Sequence, residues 1–592
     1  MERTRSWVWV AVLIGSGMLL HLPSLRWGFL WDDFLHQAVF RYEDAIPEIS
    51  SLNLYDYGVR PQPGGALGDL GLYPWWTSGD FRVRFFRPVV SLSLLSDYLI
   101  YGPWSPGYHL TSILLFGVLL ALTYRLYQNL GASRAASTWA LAFLALEDIH
   151  VVPVGWIANR NAVLANLFVV ATLLCVDWHR RTRRRWALAG AVASFFLACG
   201  AKETALITLG LVGLYLWVLQ RPLGKETLVQ GCRRVLGSSV LWVFVVATAL
   251  YVGGYVLTGH GTNSALYSTP WHAWRAFVSG LARFVSLAGA SLFFGVSTDL
   301  VFMNPSLANT LAWTMFPLLG LLVWFIWRQL RKQRLAGYAS GWVLIALAPA
   351  AGVTTSDRLL MDATLGSALL LGLLIASLRS GADLPGLHQV GRKTLIVLLV
   401  FCGPVMSLPM TWIRGNWFYE MAATDRDVVL RTEIPGEKHT PRQVFLLNPP
   451  STVLALTMLP TWTVLHDESG VSFYSLQMAR RPWAWRREGD RAVVMSYGPP
   501  ALLGHRYERL FRTTIAPPEV GTVFETGAFK ATVLEVDGEG IRRARMEFPR
   551  DLTDVSYHFL LWQDGAFRET GPPPIGETAN YEAARPIQSF VP

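Results

Sequence analysis

The sequence has 592 residues, 52% of them hydrophobic and only 16% charged. A soluble globular chain carries about 25% charge, so this composition excludes a disordered or fibrous chain and argues against a wholly soluble one. The net charge of +10 would suggest nucleic acid for a soluble protein, whereas in a membrane protein the same excess marks the inner loops.

The first apolar run, 7–22, has a basic flank at Arg3 and Arg5 but no small-residue cleavage site after it. It reads as a retained first helix rather than a signal peptide. The polar segment 24–107 follows, rich in Gly, Pro, Tyr and Trp. This predicts a structured first outer loop on the membrane face. Apolar runs then recur at 108–124, 135–154, 156–178, 186–200, 204–219 and 237–257. After a second outer loop at 258–307 come 311–327, 341–353, 359–378 and 394–412. The fold class predicted is a polytopic α-helical membrane protein with about 11 transmembrane helices. The run 276–296 reads as a further span, a re-entrant helix or a surface helix.

Charge position sets the orientation. With the N-terminus inside, the inner loops hold cation clusters such as Arg180, Arg181, Arg183, Arg184 and Arg185, and later Arg221, Lys225, Arg233 and Arg234. The short outer loops hold single cations: Arg160, Lys202 and Arg358. That is a positive-inside pattern. It makes 276–296 re-entrant or surface-lying, because another crossing would place Arg328–Arg334 outside. An odd number of spans puts the C-terminus outside. The composition changes after the membrane part at 1–413. The segment 414–592 shows short alternating runs such as 442–447 and 531–536, punctuated by Gly, Pro and Asp. It reads as a mainly-β extracytoplasmic accessory domain. Four cysteines are too few for a disulfide framework, and none has metal-ligand spacing.

Ionisable residues near the outer ends of the helices are the candidates for chemistry, since charge at membrane depth is expensive. Asp32 and Asp33 follow the first helix. One of them could act as a general base on an acceptor hydroxyl, or the pair could hold a divalent cation through hard oxygen ligands; a solvated loop start is the competing reading. Arg87 lies between aromatics and before Pro88, where a planar fork suits a lipid phosphate and simple snorkelling to headgroups is the alternative. Glu147, Asp148 and His150 precede Trp156 and Arg160. A buried ion pair such as Glu147–Arg160 would be the structural explanation. Lys202-Glu203 and Asp357-Arg358 could equally be local pairs. Under the predicted topology all of these fall on the outer side, an arrangement suited to a lipid-linked phosphosugar.

The ordered set Asp32-Asp33, Phe86-Arg87-Pro88 with Tyr108-His109-Leu110, His150 with Trp156-Ile157 and Arg160, Cys199-Gly200-Ala201-Lys202-Glu203 and Asp357-Arg358-Leu359 resembles membrane glycosyltransferases of the GT-C superfamily. The nearest likeness is to the protein O-mannosyltransferase-type and TMTC-type branch, over roughly residues 1–414. The resemblance implies transfer of a sugar, mannose being one candidate, from a polyprenyl-phosphate donor. Transfer would occur on the outer face, with inversion, to a hydroxyl of a protein, lipid or glycan acceptor. It implies Asp32 or Asp33 as catalytic base, or as the site of a divalent cation such as magnesium or manganese. It makes Arg87, Arg160, Lys202 and Arg358 candidates for the carrier phosphate, with His109, His150, Glu203 and Asp357 lining the site. The expected location is a bacterial inner membrane, with the N-terminus cytoplasmic and no nucleic-acid partner. The TMTC branch carries tetratricopeptide repeats that this sequence lacks, its β-like domain standing in their place. A transporter or flippase would also need buried ions, though no internal symmetry supports one; a non-enzymatic scaffold would leave the outer charges dispensable.

Overall fold

The computed structural model describes residues 2–42, 46, 48–59, 66–222, 226–266, 274–353, 355–380 and 389–585. Lys225 and part of the second outer loop, 267–273, lie outside them. The described chain forms two compact units that do not follow chain order: residues 1–28, 86–258 and 268–417, and residues 29–85, 259–267 and 418–592. The first outer loop predicted at 24–107 thus contributes mostly to the same unit as the C-terminal region.

The first unit is helical. Among the described residues seven helices are long and apolar enough to cross a membrane: Trp7–Arg26, Ser105–Asn129, Ile157–Thr182, Ser239–Leu257, Pro305–Leu330, Met361–Ser380 and Gln389–Arg431. An eighth span is formed if Arg134–Ala145 and Asp148–Gly155, bent by 46°, count as one. The other three predicted runs are also helical but shorter. Arg185–Ala201 and Arg334–Ala350 have 17 residues each, and Glu203–Leu219 begins as a 3₁₀ turn and ends as a π-helix. The chain is therefore a helical membrane protein with a β-rich region.

Local sequence explains the helix starts. Pro88 sits in the first turn of Pro88–Tyr101, where its missing N–H has no partner to lose. Ser133 caps Arg134–Ala145 by accepting from Ala136 N. The last long helix continues to Arg431, past the composition change at Arg414, because nothing between them breaks it: Pro409, the last proline before that point, is already accommodated inside the helix. The run predicted at 276–296 is the helix Trp274–Phe294. Its Leu287, Ala288 and Ala290 are fully buried, and Ser286 Oγ donates to Ala312 O of Pro305–Leu330, so this helix has an inward-facing side of its own.

Among its described residues the second unit holds thirteen strands: β1 Asp56–Val59, β2 Arg82–Arg84, β3 Gly261–Asn263, β4 Arg442–Leu446, β5 Val471–Ser475, β6 Trp483–Arg487, β7 Ala492–Tyr497, β8 Val523–Glu525, β9 Lys530–Val536, β10 Ile541–Glu547, β11 Tyr557–Gln563, β12 Ala566–Thr570 and β13 Thr578–Tyr581. They form sheets in the orders β1-β2-β3, β13-β6-β7-β10-β9-β8 and β12-β11-β4-β5. The runs at 442–447 and 531–536 are β4 and β9, as their alternation predicts. The domain is more mixed than a purely antiparallel reading. β4 pairs in parallel with β5 and with β11, and the helix Thr452–His466 makes the crossover between β4 and β5. Ser451 caps that helix through Leu454 N. Phe445 on β4 is fully buried and stacks on Phe559 with ring centroids 4.9 Å apart and on Tyr474 at 5.6 Å. An aromatic side chain buried in this way contributes about 1.5–3 kcal/mol by transfer alone.

Candidate functional site

In the second unit, Asp32 and Asp33 open the helix Asp32–Arg41. Acidic residues in a first turn are favoured by the helix dipole. Trp31, just before them, has φ 35°, a conformation that a non-glycine residue holds only when its surroundings fix it. Two contacts do so: Trp31 Nε1 donates to Asp425 Oδ2 at 3.1 Å, and its ring meets Phe418 edge-on at 6.0 Å. The two carboxylates are not equivalent. Asp33 is 1% exposed, and its Oδ2 accepts from Leu30 N at 2.9 Å. Asp32 is the more accessible of the pair. Among the described residues no group of three His, Cys, Asp or Glu side chains is arranged to hold a metal ion, and one Asp33 oxygen is already engaged by the backbone.

In the first unit the candidate residues separate into three groups. The first is a brace. Arg160 is fully buried at the start of Arg160–Thr182. Its Nη1 pairs with Asp97 Oδ2 at 2.6 Å and donates to Ser93 Oγ at 2.9 Å. Its Nε donates to Ser112 Oγ at 2.9 Å and its Nη2 to Tyr108 O at 2.6 Å. Every nitrogen of the fork is engaged, tying three helices together. Arg160 thus pairs with Asp97 and not with Glu147, the partner that sequence proximity suggested. His109 and His150 are fully buried too. His109 Nε2 bonds Gly28 O at 2.9 Å, and His150 Nε2 bonds Thr364 Oγ1 at 3.0 Å.

The second group is a hub at Arg414. Its Nη1 lies 2.9 Å from Asp148 Oδ2 and 3.0 Å from Asp357 Oδ2, and its Nη2 lies 2.8 Å from Asp299 Oδ2. Asp357 also accepts from Ser291 Oγ, Ser297 Oγ, and Thr298 N and Oγ1, at 2.7–2.9 Å. Burial, reinforced by the neighbouring Asp357 charge, pushes the Asp299 carboxyl above its usual range. Sequence reasoning missed Arg414 and Asp299 as site residues. The available signal was weak: one charge at the end of an apolar run and one in a polar loop.

The third group is a cluster of cations. Arg87 holds the N-cap position of Pro88–Tyr101, with φ −127° and ψ 53°, and grips Glu203, with Nη2 2.8 Å from Oε2 and Nε 3.2 Å from Oε1. Lys202 is only 7% exposed, between Arg185–Ala201 and the turn Glu203–Leu206. Gly200 allows this approach, because a Cβ there would meet Val89 Cγ2 at 3.0 Å. Among the described residues Lys202 makes no side-chain hydrogen bond and no ion pair. Burial pushes its ammonium below the usual lysine value, Asp362 opposes that, and Arg87 and Arg358 add to it. Arg358 is exposed, stands 5.4 Å over the Trp156 ring and likewise makes no hydrogen bond among the described residues. Lys202 and Arg358 therefore present cationic donors that make no hydrogen bond among the described residues, beside an arginine paired with Glu203. Such a group can bind a phosphate or stabilise charge on one.

No family model matches the chain. It is similar to the protein O-mannosyl-transferase tmtc2 of Xenopus laevis, 29% identical over 218 residues, which is 35% of this chain and 24% of the relative. It is also similar to the protein O-mannosyl-transferase Tmtc2 of Drosophila melanogaster, 31% identical over 206 residues, or 33% of this chain and 20% of the relative. The matches thus span about a quarter or less of those curated relatives. Among solved structures, the oligosaccharyltransferase AglB of Archaeoglobus fulgidus, in complex with an inhibitory peptide and a dolichol-phosphate, superposes with a TM-score of 0.41 at 11% identity. That match covers 80% of this chain and 65% of that one. ArnT of Cupriavidus metallidurans in the apo state superposes at 0.40 and 12%, covering 77% and 85%. The likeness to the TMTC branch suggested by motif order is borne out by the sequence relatives.

Proposed function

We propose that the chain is a membrane glycosyltransferase of GT-C type that moves a sugar from a polyprenyl-phosphate donor to an acceptor hydroxyl. The observation that carries this reading is the Lys202–Arg358 pair: two cations that make no hydrogen bond or ion pair among the described residues, one buried and one at the surface, beside the Arg87–Glu203 ion pair. Burial of the Lys202 ammonium is only partly offset by the nearby Asp362 and Glu203 charges, and a phosphate ligand adds to that offset. The sequence relatives are named as O-mannosyltransferases, so mannose is the first sugar to test.

From its place in the ordered motif set, Asp32 is assigned the general-base role, accepting the proton of the acceptor hydroxyl as its oxygen attacks the anomeric carbon. Asp33, held by Leu30 N, keeps the helix start in place and is a positioning residue. The bond from the anomeric carbon to the phosphate oxygen breaks on the opposite face, so the configuration inverts. Charge that grows on the departing phosphate is balanced by Lys202 and Arg358, with Arg87 released in part from Glu203. In this reading the chain crosses the membrane eleven times, N-terminus inside, and the reaction takes place on the outer face of a bacterial inner membrane.

The test uses the full chain in lipid nanodiscs with polyprenyl-phosphate mannose, following both transfer to Ser/Thr peptides and slow hydrolysis of the donor. General-base removal costs about 10²–10⁴-fold, so Asp32→Asn is expected to lose that much transfer while keeping donor binding. Unchanged transfer in Asp32→Asn and in Lys202→Met would refute the assignment.

A further inference from the structure

The second unit contains a cavity of about 870 Å³ that the proposed chemistry does not use. Its lining follows a pattern. On the C-terminal side it touches every residue from Thr522 through Gly527, and on the first-loop side every residue from Thr77 through Asp80. Side chains on a strand alternate between two faces, so a cavity lying over one face of β8 would meet every second residue. A cavity that meets each one in turn runs along the strand's edge.

Among the described residues β8 is an edge strand, paired only with β9. Its register sets Val523 opposite Thr532 and Glu525 opposite Lys530. Val533 N donates to Thr522 O and Thr526 N to Phe529 O, so Thr522 and Thr526 are the residues bonded to β9. In an antiparallel ladder the bonded and non-bonded positions alternate. The N–H and C=O groups of Val523 and Glu525 therefore point away from β9, toward the cavity. Among the described residues no backbone bond outside the β8–β9 ladder reaches either residue. Val523 is 52% exposed, so these edge groups are open to water and free to pair with an added strand.

The walls add chemical character. Phe524 meets Trp75 edge-on at 5.7 Å, and the Arg512 guanidinium lies 5.7 Å from the Phe524 ring. Tyr73, 9% exposed, has no hydrogen-bond partner for its hydroxyl, and Arg512 has none for Nε, among the described residues. Three carboxylates, Asp69, Asp80 and Glu525, face one cation, Arg512. Asp80 Oδ1 accepts from Thr513 Oγ1 at 2.9 Å, and Glu525 pairs with Lys530 at the surface. The hairpin is set against the first loop by Gly527, where a Cβ would lie 2.5 Å from Asp69 Oδ1. The opening along β8 is thus fixed by the fold and net acidic.

We infer that this cleft binds an extended peptide segment that adds to the β8 edge as a further strand and carries basic side chains toward Asp69 and Asp80. Only a peptide backbone offers donors and acceptors at ladder spacing to Val523 and Glu525, and the acidic lining selects a basic segment over a phosphosugar. What is new is the peptide-binding edge itself, and the inference rests on the proposed function only for what happens to the peptide after binding.

The experiment measures binding of a fluorescent peptide, alternating Lys and Val around one Thr, to the full chain in nanodiscs without donor. Two versions carry N-methyl groups on alternate amides, in the two possible registers. One register is expected to weaken binding by at least about tenfold and the other to leave it within about twofold, since a ladder uses one set of amides. Val523→Pro, which removes one outward N–H at an edge where proline is tolerated, is expected to weaken the parent peptide to the same extent. Equal affinity of both N-methyl registers would overturn the inference, even if Val523→Pro failed to fold. Displacement of the peptide by mannose oligosaccharides would overturn it as well. Peptide binding that persists in Asp32→Asn supports the inference whatever becomes of transfer. Transfer that persists without peptide binding overturns the inference and leaves the glycosyltransferase reading intact.

Discussion

Two arginine–carboxylate pairs in the helical unit show what distinguishes a brace from a site. Arg160 and Asp97 have 0% and 4% side-chain exposure, and every nitrogen of the guanidinium is engaged. Arg87 and Glu203 have 12% and 21% exposure, and beside them stand Lys202 and Arg358, which make no hydrogen bond among the described residues. Both arginines lie near the ends of apolar helices and both read as phosphate ligands from sequence. The difference is saturation. A fork whose donors are all taken cannot accept a ligand without breaking helix contacts, whereas an accessible pair beside a buried lysine can rearrange at small cost. Charge near the membrane therefore indicates function only after its partners have been counted.

The largest expected effect breaks the brace. Asp97→Ala leaves Arg160 buried without its counter-ion, a change that costs about 3–5 kcal/mol. Thermal unfolding in detergent should shift strongly downward and the yield of folded protein should fall. Glu203→Gln, at the more exposed pair, is expected to cost no more than about 1 kcal/mol. Equal destabilisation by the two variants would erase the distinction. Next in size, Lys202→Met is expected to lower transfer by about 10²-fold while leaving thermal stability the same or slightly higher, because a buried charge is removed.

The pH dependence sharpens the same contrast. Lys202 has its folded pKa below that of a free lysine, so it loses its proton at a lower pH than an exposed lysine would. Transfer should fall on the alkaline side, starting below the usual lysine range, and Lys202→Arg should remove that limb. The stability sign is opposite. Between the folded and unfolded pKa values the unfolded chain holds more protons, so stability rises with pH through that window. An alkaline limb unchanged in Lys202→Arg would show that another group titrates.

Much of the helical unit was legible in the sequence because a membrane span needs a long apolar run, and all eleven predicted runs are helices. Span length was less legible. Arg185–Ala201 and Arg334–Ala350 are short because charged and loop residues close in on both ends, and composition alone does not say which short helices cross. The acidic pair Asp32-Asp33 was visible as adjacent charges. Their inequality was not, since it depends on Leu30 N and on the Trp31 backbone. The Arg414 hub was hidden for another reason: Asp148, Asp299, Asp357 and Arg414 are far apart in the chain, and a single sequence shows no pairing between them. In the C-terminal region alternation located β4 and β9 but could not reveal that β4 pairs in parallel, because parallel and antiparallel strands share the same period.

The smallest expected effect concerns Arg358. Its guanidinium lies over Trp156, and a cation–π contact at an exposed position contributes about 0.5–1 kcal/mol. That energy holds the fork in one orientation before a ligand arrives. Arg358→Lys keeps the charge and loses the planar stack, as does Trp156→Leu from the other side. Either change should raise KM for the lipid-linked donor by about two- to fivefold, with kcat nearly unchanged, because the contact orders the free site and is not specific to the transition state. The double variant should be no worse than the poorer single one, since both remove the same contact. A loss in kcat equal to that of Lys202→Met would instead show that the Trp156 stack is needed to hold Arg358 on the departing phosphate in the transition state, and not only to order the free site.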